Sequence, residues 1–184
     1  MGGIIFIIVV IAVIMLVAMY NGLVRKKKLF DNAWSQIDVQ LKRRYDLIPN
    51  LVESVKGYAA HEAGLLEKVT LARTRAMGVP SGDTGAKIAA ETELGGALRG
   101  LMVQVEAYPQ LKANENFLQL QEELTSTENK IAFSRQHYND SATNYNTAIA
   151  VFPANVVAGM FKFQDAALWQ ITEAAEREAP KVKF

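Results

Sequence analysis

Two histidines and no cysteine restrict the chemistry open to this 184-residue chain. His61 and Glu62 begin an H-E-x-x-H zinc-binding helix, but Leu65 stands where the second histidine is required. His137 is distant in the sequence, whereas dedicated transition-metal sites cluster their ligands. We therefore expect both histidines to be ordinary helix-surface residues, and we predict no metal ion and no cofactor.

Other catalytic patterns are also missing from the sequence. It contains no G-x-S-x-G nucleophile elbow and no glycine-rich phosphate loop between a strand and a helix. The absence of cysteine excludes disulfides, thiolate zinc sites, iron–sulfur clusters and cysteine catalysis. The sequence therefore predicts a protein that is not an enzyme.

Polar and charged side chains instead crowd two stretches, residues 36–46 and 128–146. Because charged residues usually face water, we favour a solvated surface with a few internal hydrogen bonds that fix helix register. The alternative is a buried polar network or a face that binds a partner or a second subunit. Arg43, Arg44 and Arg135 are the candidate interaction residues. Arg135 is the best single candidate because it lies three residues before a predicted core position.

A short amphipathic segment, residues 155–163, follows these stretches. The large apolar side chains in and beside it are Phe152, Val156, Met160 and Phe163. Because such residues are usually buried, we favour a role in capping the apolar end of a helical bundle. The alternative is insertion into a membrane surface or a neighbouring subunit, for which Met160 and Phe161 are the candidate interaction residues.

The elements that carry these residues are predicted to be helices, because apolar side chains recur every three or four positions from Phe30 onward. No stretch alternates with period two over enough residues to indicate a strand. The first apolar stripe runs to Ile48. Pro49 then removes a backbone donor, so we predict a kink or break at residues 47–50. A second stripe ends before the glycine-rich loop 78–85.

A third helix is predicted over residues 86–107, and Pro109 is expected to begin a long fourth helix that Pro153 ends. Large residues recur every seven positions along the fourth helix. They are Phe117, Leu124, Ile131, Tyr138, Tyr145 and Phe152. Most positions three residues later are small, which is typical of a long helix packed antiparallel in a bundle.

The first 24 residues differ from the rest of the chain. They contain no charged side chain and 20 hydrophobic residues, enough for a helix to cross a bilayer core about 30 Å thick. Tyr20 stands at the expected membrane interface, and four basic residues follow it. The four are Arg25, Lys26, Lys27 and Lys28. We prefer an uncleaved anchor to a signal peptide, because no basic residue precedes the apolar run and its exit is a poor cleavage site.

The charges follow the same division, with +5 over residues 25–44 and −4 beyond them. By the positive-inside rule, the bases place the rest of the chain in the cytoplasm and the N-terminus outside. The net charge of +1 carries no signature of nucleic-acid binding, so no such partner is expected. The sequence predicts an all-α protein. Residues 1–24 form a single transmembrane anchor, and residues 25–184 form a cytoplasmic, long antiparallel helical bundle.

Three stretches of the sequence resemble the bacterial LemA family. They are residues 20–62, the run LARTRA at residues 71–76, and residues 115–161. The resemblance implies one N-terminal transmembrane helix and a cytoplasmic antiparallel bundle. It supplies no catalytic residues, since the family has no established enzymatic activity. One relative takes part in magnetosome membrane formation, and genes of the family can neighbour a membrane metalloprotease.

Two functions follow from the residues and the resemblance together. The first is a non-enzymatic scaffold in the bacterial inner membrane that contacts lipids and forms a homo-oligomer through its cytoplasmic helices. Anchoring raises the effective concentration of such copies, so weak lateral contacts suffice. The second is an adaptor that presents a cytoplasmic face to another membrane protein, such as a membrane protease.

Overall fold

The computed structural model describes residues 1–58, 62–80 and 82–169 of the chain. Within those ranges the chain forms α-helices and no strand, which confirms the all-α prediction. The helices are α1 (Gly2–Lys56), α2 (Ala63–Gly78), α3 (Thr84–Val105), α4 (Pro109–Lys112), α5 (Glu115–Ala150) and α6 (Ala154–Met160). His61 and the C-terminal segment at residues 170–184 lie outside the described residues.

The chain divides into two compact units. The terminal unit comprises Met1–Phe30 together with Tyr138–Phe184, and the middle unit comprises Asp31–His137. Both α1 and α5 contribute residues to each unit. The boundary predicted between residues 24 and 25 falls inside α1 and stays a prediction.

Of the kink or break predicted at residues 47–50, the break is wrong, because α1 continues through Pro49 to Lys56. Proline has no N–H, so the carbonyl of Tyr45, four residues earlier, lacks its usual α-helical donor. Arg73 of α2 supplies the missing donor, with its Nε 2.8 Å from Tyr45 O. A neighbouring helix therefore satisfies the acceptor that the proline leaves unpaired.

This arrangement predicts that the contribution of Arg73 to stability depends on Pro49. Arg73→Met leaves the Tyr45 carbonyl without a donor and is expected to lower the free energy of unfolding by about 1.5–3 kcal/mol. In a Pro49→Ala background, the backbone N–H restored at position 49 bonds to that carbonyl, so the same substitution is expected to cost much less. Chemical denaturation of the four chains of this double-mutant cycle measures the difference. Equal costs in both backgrounds would contradict the compensation.

The middle unit packs parts of α1 and α5 with α2, α3 and the short α4 around one core. α2 and α3 are separated by five residues and lie antiparallel. α1 and α5 are antiparallel too, since Tyr58 accepts a hydrogen bond from Asn114 while Arg43 lies near Glu123. The largest buried apolar side chains of the unit are Ile37, Leu41, Ile48, Leu51, Leu94, Leu101, Leu111 and Phe117. The predicted bundle is confirmed within this unit.

The fourth predicted helix begins later than its sequence suggested. Pro109 starts only the four-residue α4, and the long α5 begins at Glu115. Asn114 favours this new start, because its side-chain oxygen accepts a hydrogen bond from Phe117 N at 3.1 Å. The predicted heptad is buried from Phe117 to Tyr145, whereas Phe152 lies beyond α5 and is 82% exposed.

The terminal unit has its own small apolar core. Leu23 of α1 packs there with Tyr145 and Ile149 of α5 and with Val157 and Ala158 of α6. Partly buried residues of α1 extend the core toward the N-terminus. They are Leu16, Met19 and Tyr20. The end of the apolar segment therefore contacts protein on one side, while the stretch before it does not.

Residues 163–169, here called the strap, follow α6 and lie along α5. Asn146 Nδ2 donates to Ala166 O, and its Oδ1 accepts from Ala166 N, at 2.9 and 2.8 Å. Asn139 makes the same two bonds to Trp169, at 2.9 and 2.8 Å. Seven helical residues rise about 10.5 Å, close to the reach of three extended residues, so the two asparagines match the spacing of the strap.

Candidate functional site

The apolar half of α1 is the first functional surface. Its large side chains from Ile4 to Val17 are nearly all exposed. Among the residues that the structure describes, α1 is the one helix long and apolar enough to cross a membrane, and its most apolar stretch is unburied. Contiguous exposed apolar surface of this extent suits hydrocarbon rather than water. The predicted single span therefore exists as an exposed, lipid-compatible helix.

The predicted interface residues follow this surface along α1. Arg25, Lys26, Lys27 and Lys28 are all exposed. Tyr20 is half-buried, because its ring packs on Phe161, with centroids 4.6 Å apart, and edge-on to Phe163 at 6.0 Å. Sequence reasoning treated Tyr20 and Phe161 separately, whereas the structure brings them together.

The favoured role for the segment after α5, capping an apolar core, is wrong for most of its large side chains. Val157, Ala158 and the half-buried Phe163 face the terminal core. The large side chains that stay exposed are Val151, Phe152, Val156, Met160 and Phe161. α6 has only seven residues, so one docked face leaves the other without a protein partner in the described chain.

A buried network of charged residues occupies the middle unit. Arg44 is 3% exposed, and its Nη1 donates to Glu128 Oε1 at 2.9 Å. Its Nη2 donates to the carboxylate of Glu91, which is buried on α3. Arg44 Nε is buried and has no hydrogen-bond partner among the described residues. Arg44, predicted as an interaction residue, therefore lies inside the unit rather than on its surface.

Two further residues complete this network. The hydroxyl of Tyr45 donates to Glu91, and Lys87 Nζ lies 3.9 Å from the same carboxylate and 5.1 Å from the Tyr45 ring centre. Lys87 also donates to Ala76 O at 2.8 Å, in the last turn of α2. The network thus joins α1, α2, α3 and α5 and carries two positive and two negative charges.

The protonation of the network follows from these contacts. Burial by itself lowers the pKa of Arg44, but the carboxylates of Glu128 and Glu91 outweigh it and raise the pKa above its ordinary value. Burial also raises the pKa of Tyr45, and the hydrogen bond to Glu91 raises it further. Arg44 therefore stays charged and Tyr45 stays protonated at neutral pH. The residues act as fixed donors rather than as a proton relay.

The other two predicted arginines lie closer to the surface. Arg43 is 49% exposed, and its Nη2 is 3.8 Å from Glu123 Oε2. Arg135 is half-buried on α5. Both belong to the middle unit, where an open groove of about 790 Å³ runs between α1 and α5. The residues lining the groove include Gln40, Leu118, Gln121, Asn129, Phe133 and Ser134.

The described residues contain no cluster of side chains that could bind a metal ion. No group of three or more histidine, aspartate or glutamate residues is close enough to hold an ion within the described ranges. His137 is exposed on α5, as expected from the sequence.

Sequence reasoning missed Glu91 and the two asparagines of the strap. Glu91 gave no signal, because it is one of two acidic residues on α3 and nothing in its spacing distinguishes it from Glu93. The asparagines did leave a signal, since a Tyr-Asn pair occurs at residues 138–139 and again at residues 145–146. Both tyrosines also donate to the strap, Tyr138 to Ala167 O at 2.6 Å and Tyr145 to Gln164 O at 3.0 Å.

Sequence comparison relates the chain to a known protein family. The family model described as the LemA family matches residues 33–184. The chain belongs to the LemA family. Protein LemA of Metamycoplasma hominis is 29% identical over 153 residues, which cover 83% of this LemA-family chain and 69% of that relative.

The chain is also similar to magnetosome proteins named MamQ. Magnetosome protein MamQ 2 of Paramagnetospirillum magneticum is 27% identical over 181 residues, covering 85% of this chain and 66% of the relative. Magnetosome protein MamQ of Magnetospirillum gryphiswaldense is 27% identical over 169 residues, covering 79% and 62%. The LemA-family chain thus spans about two thirds of the length of these curated relatives. None of the names denotes a class of enzyme.

Proposed function

We propose that this LemA-family chain is a non-enzymatic scaffold that α1 anchors in the membrane and that self-associates through its middle unit. The observation that carries the proposal is the continuity of α1 from the exposed span into the core of the middle unit. α1 supplies both the exposed span and core residues of the middle unit, so anchoring by the span confines every copy of the chain to the same membrane plane.

The groove between α1 and α5 is the proposed self-association surface. Phe133 lines it and is 74% exposed, and Leu118 beside it is also exposed. A large exposed aromatic side chain is the type of residue that anchors interfaces. Because membrane anchoring confines copies to a plane, even a weak contact at this groove produces assembly.

The mass of the chain in mild detergent, measured across a concentration series, tests the proposal. The wild-type chain is expected to form a defined oligomer, and Phe133→Asp is expected to weaken it. Val103→Asp is the matched control, because Val103 is 73% exposed on α3 and does not line the groove. A strictly monomeric wild-type chain would rule out self-association. Equal effects of the two substitutions would rule out the groove as its surface.

An adaptor for another membrane protein is the second candidate. The groove supports it because most of its lining residues are polar, and non-obligate interfaces are about as polar as the rest of a protein surface. Photo-crosslinkers placed at Arg43 and Arg135 in native membranes separate the two candidates. Capture of one heterologous membrane protein favours the adaptor, and capture of a second copy favours the scaffold.

The proposed location is the bacterial inner membrane, with the N-terminus outside and the bulk of the chain in the cytoplasm. The exposed bases at residues 25–28 support this orientation through the positive-inside rule. Because the chain has no cysteine, a single cysteine in a short hydrophilic extension added before Met1 and a single cysteine at Val103 report each side separately. A membrane-impermeant maleimide is expected to label the extension in intact cells and position 103 only after lysis. The reverse pattern would invert the orientation.

The names of the MamQ relatives assign those relatives to the magnetosome. For this chain we propose a role in organising the membrane that holds it. The proposed lipid contacts are those of α1 and of its exposed bases, since each Lys or Arg close to an anionic leaflet contributes about 1 kcal/mol of attraction.

A further inference from the structure

A second apolar surface lies in the terminal unit, separate from the exposed span of α1. Residues 141–161 contain no charged side chain, which makes them the longest uncharged stretch outside residues 1–24. The last part of this stretch comprises the turn after α5 and α6. Its exposed apolar side chains are Val151, Phe152, Val156, Met160 and Phe161, here called the α6 patch.

The opposite, buried face of α6 packs on the end of the apolar span of α1, and this contact fixes where the patch lies. Val157 and Ala158 pack with Leu23, and the ring of Phe161 lies 4.6 Å from that of Tyr20. The α6 patch is therefore continuous with the end of the exposed apolar span. It is not an isolated feature of a surface that faces water.

The length of the apolar span of α1 gives the depth at which the contact between Tyr20 and Phe161 lies in a bilayer. At 1.5 Å per residue, the rise from Gly2 to Tyr20 is about 27 Å, and a hydrocarbon core is about 30 Å thick. A span that begins at Gly2 thus brings Tyr20 to the opposite boundary of the core. The Phe161 ring packs on Tyr20, so it lies at the same boundary, where lipid is within reach of the exposed patch.

The charges around the patch suit such a position. Lys162 follows Phe161 directly and is exposed, and the bases at residues 25–28 begin one turn beyond Tyr20 on α1. Bases at the headgroup level beside apolar side chains are typical of interfacial membrane segments. The uncharged patch therefore suits the acyl-chain layer of one leaflet, and the bases beside it suit the headgroup layer of the same leaflet.

We propose that the α6 patch enters the same bilayer as α1 and contacts the acyl chains of the leaflet next to residues 25–28. This inference rests on the proposed anchoring by α1 and adds a second lipid contact that reaches one leaflet only. α1 displaces lipid in both leaflets, whereas the patch displaces it in one. Amphipathic segments that insert in this way bind in a manner sensitive to curvature.

Single-cysteine variants of the full-length chain test the inference, because no native cysteine competes for the label. Phe152→Cys and Met160→Cys are labelled with an environment-sensitive fluorophore and reconstituted at low protein density into vesicles of phosphatidylcholine and phosphatidylglycerol with brominated acyl chains. Val10→Cys, in the exposed span, is the positive control. Val103→Cys is the matched exposed control, since Val103 and Phe152 are 73% and 82% exposed. We expect quenching by brominated lipid at positions 152, 160 and 10, and none at position 103.

The other outcomes separate this inference from the proposed function. Quenching at position 10 with none at positions 152 and 160 overturns the inference and leaves the anchor intact. Blue-shifted emission at positions 152 and 160 without bromine quenching overturns it too, because a second copy then covers the patch. An absence of quenching at position 10 removes the anchor itself, and the inference fails with it.

Discussion

Replacing Arg44 with methionine is expected to lower the free energy of unfolding by about 3–5 kcal/mol. The substitution leaves the Glu91 carboxylate inside the middle unit without its main partner, and an uncompensated buried charge is strongly destabilising. The loss should fall at the lower end of the range, because Lys87 Nζ still lies 3.9 Å from that carboxylate. Chemical denaturation of the detergent-solubilised chain measures the change.

Arg43→Met is the matched control, since it removes the same side chain one position earlier. Arg43 is 49% exposed and lies 3.8 Å from a half-exposed Glu123, and surface ion pairs contribute about 0–1 kcal/mol. The double variant Arg44→Met with Glu91→Met should lose less stability than Arg44→Met alone, because no buried carboxylate is left unpaired. A loss below about 1 kcal/mol for Arg44→Met would contradict a stabilising role of the network.

Substituting alanine for Asn139 and Asn146 is expected to release the strap from α5. Each substitution leaves a peptide N–H and C=O of the strap without partners, and each such group costs about 1–3 kcal/mol when it stays buried. Release of the strap limits this cost, because the freed peptide groups then bond to water. The double variant should therefore lose less stability than the sum of the two single variants.

Hydrogen exchange at the amides of Ala166 and Trp169 measures the release directly. The two amides should lose protection in the double variant, and the emission of the buried Trp169 should shift to the red in a Trp34→Phe background. Asn144→Ala is the control, because Asn144 lies exposed on the same helix. Retained protection of both amides in the double variant would show that the asparagines do not hold the strap.

Much of the fold follows from local pattern. The exposed span, the loop before α3 and the buried heptad from Phe117 to Tyr145 were all predicted, because helical periodicity reports which face meets the core. The heptad failed at Phe152, where the helix had already ended. Periodicity describes a face only while the helix continues.

The candidate site was less predictable, because its residues act through partners distant in the sequence. Glu91 lies 47 residues from Arg44 in the chain, and Trp169 lies 30 from Asn139. Residue types and their spacing in the sequence do not predict which of these distant residues form contacts with each other. The capping role expected for Met160 failed for a related reason, since burial requires a surface to pack on, and α6 meets one on a single face.

The sequence by itself determined that the chain begins with an apolar helix long enough to cross a membrane and continues as helices. An uncharged run of 24 residues followed by amphipathic periodicity has few other stable structures. Tertiary structure alone decided that Arg44 is buried and Arg43 exposed. Adjacent helical positions differ by about 100° in direction, and only the neighbouring helices decide which direction is inside. Tertiary structure also decided that Pro49 does not end α1, because the donor that compensates it lies on another helix, at Arg73.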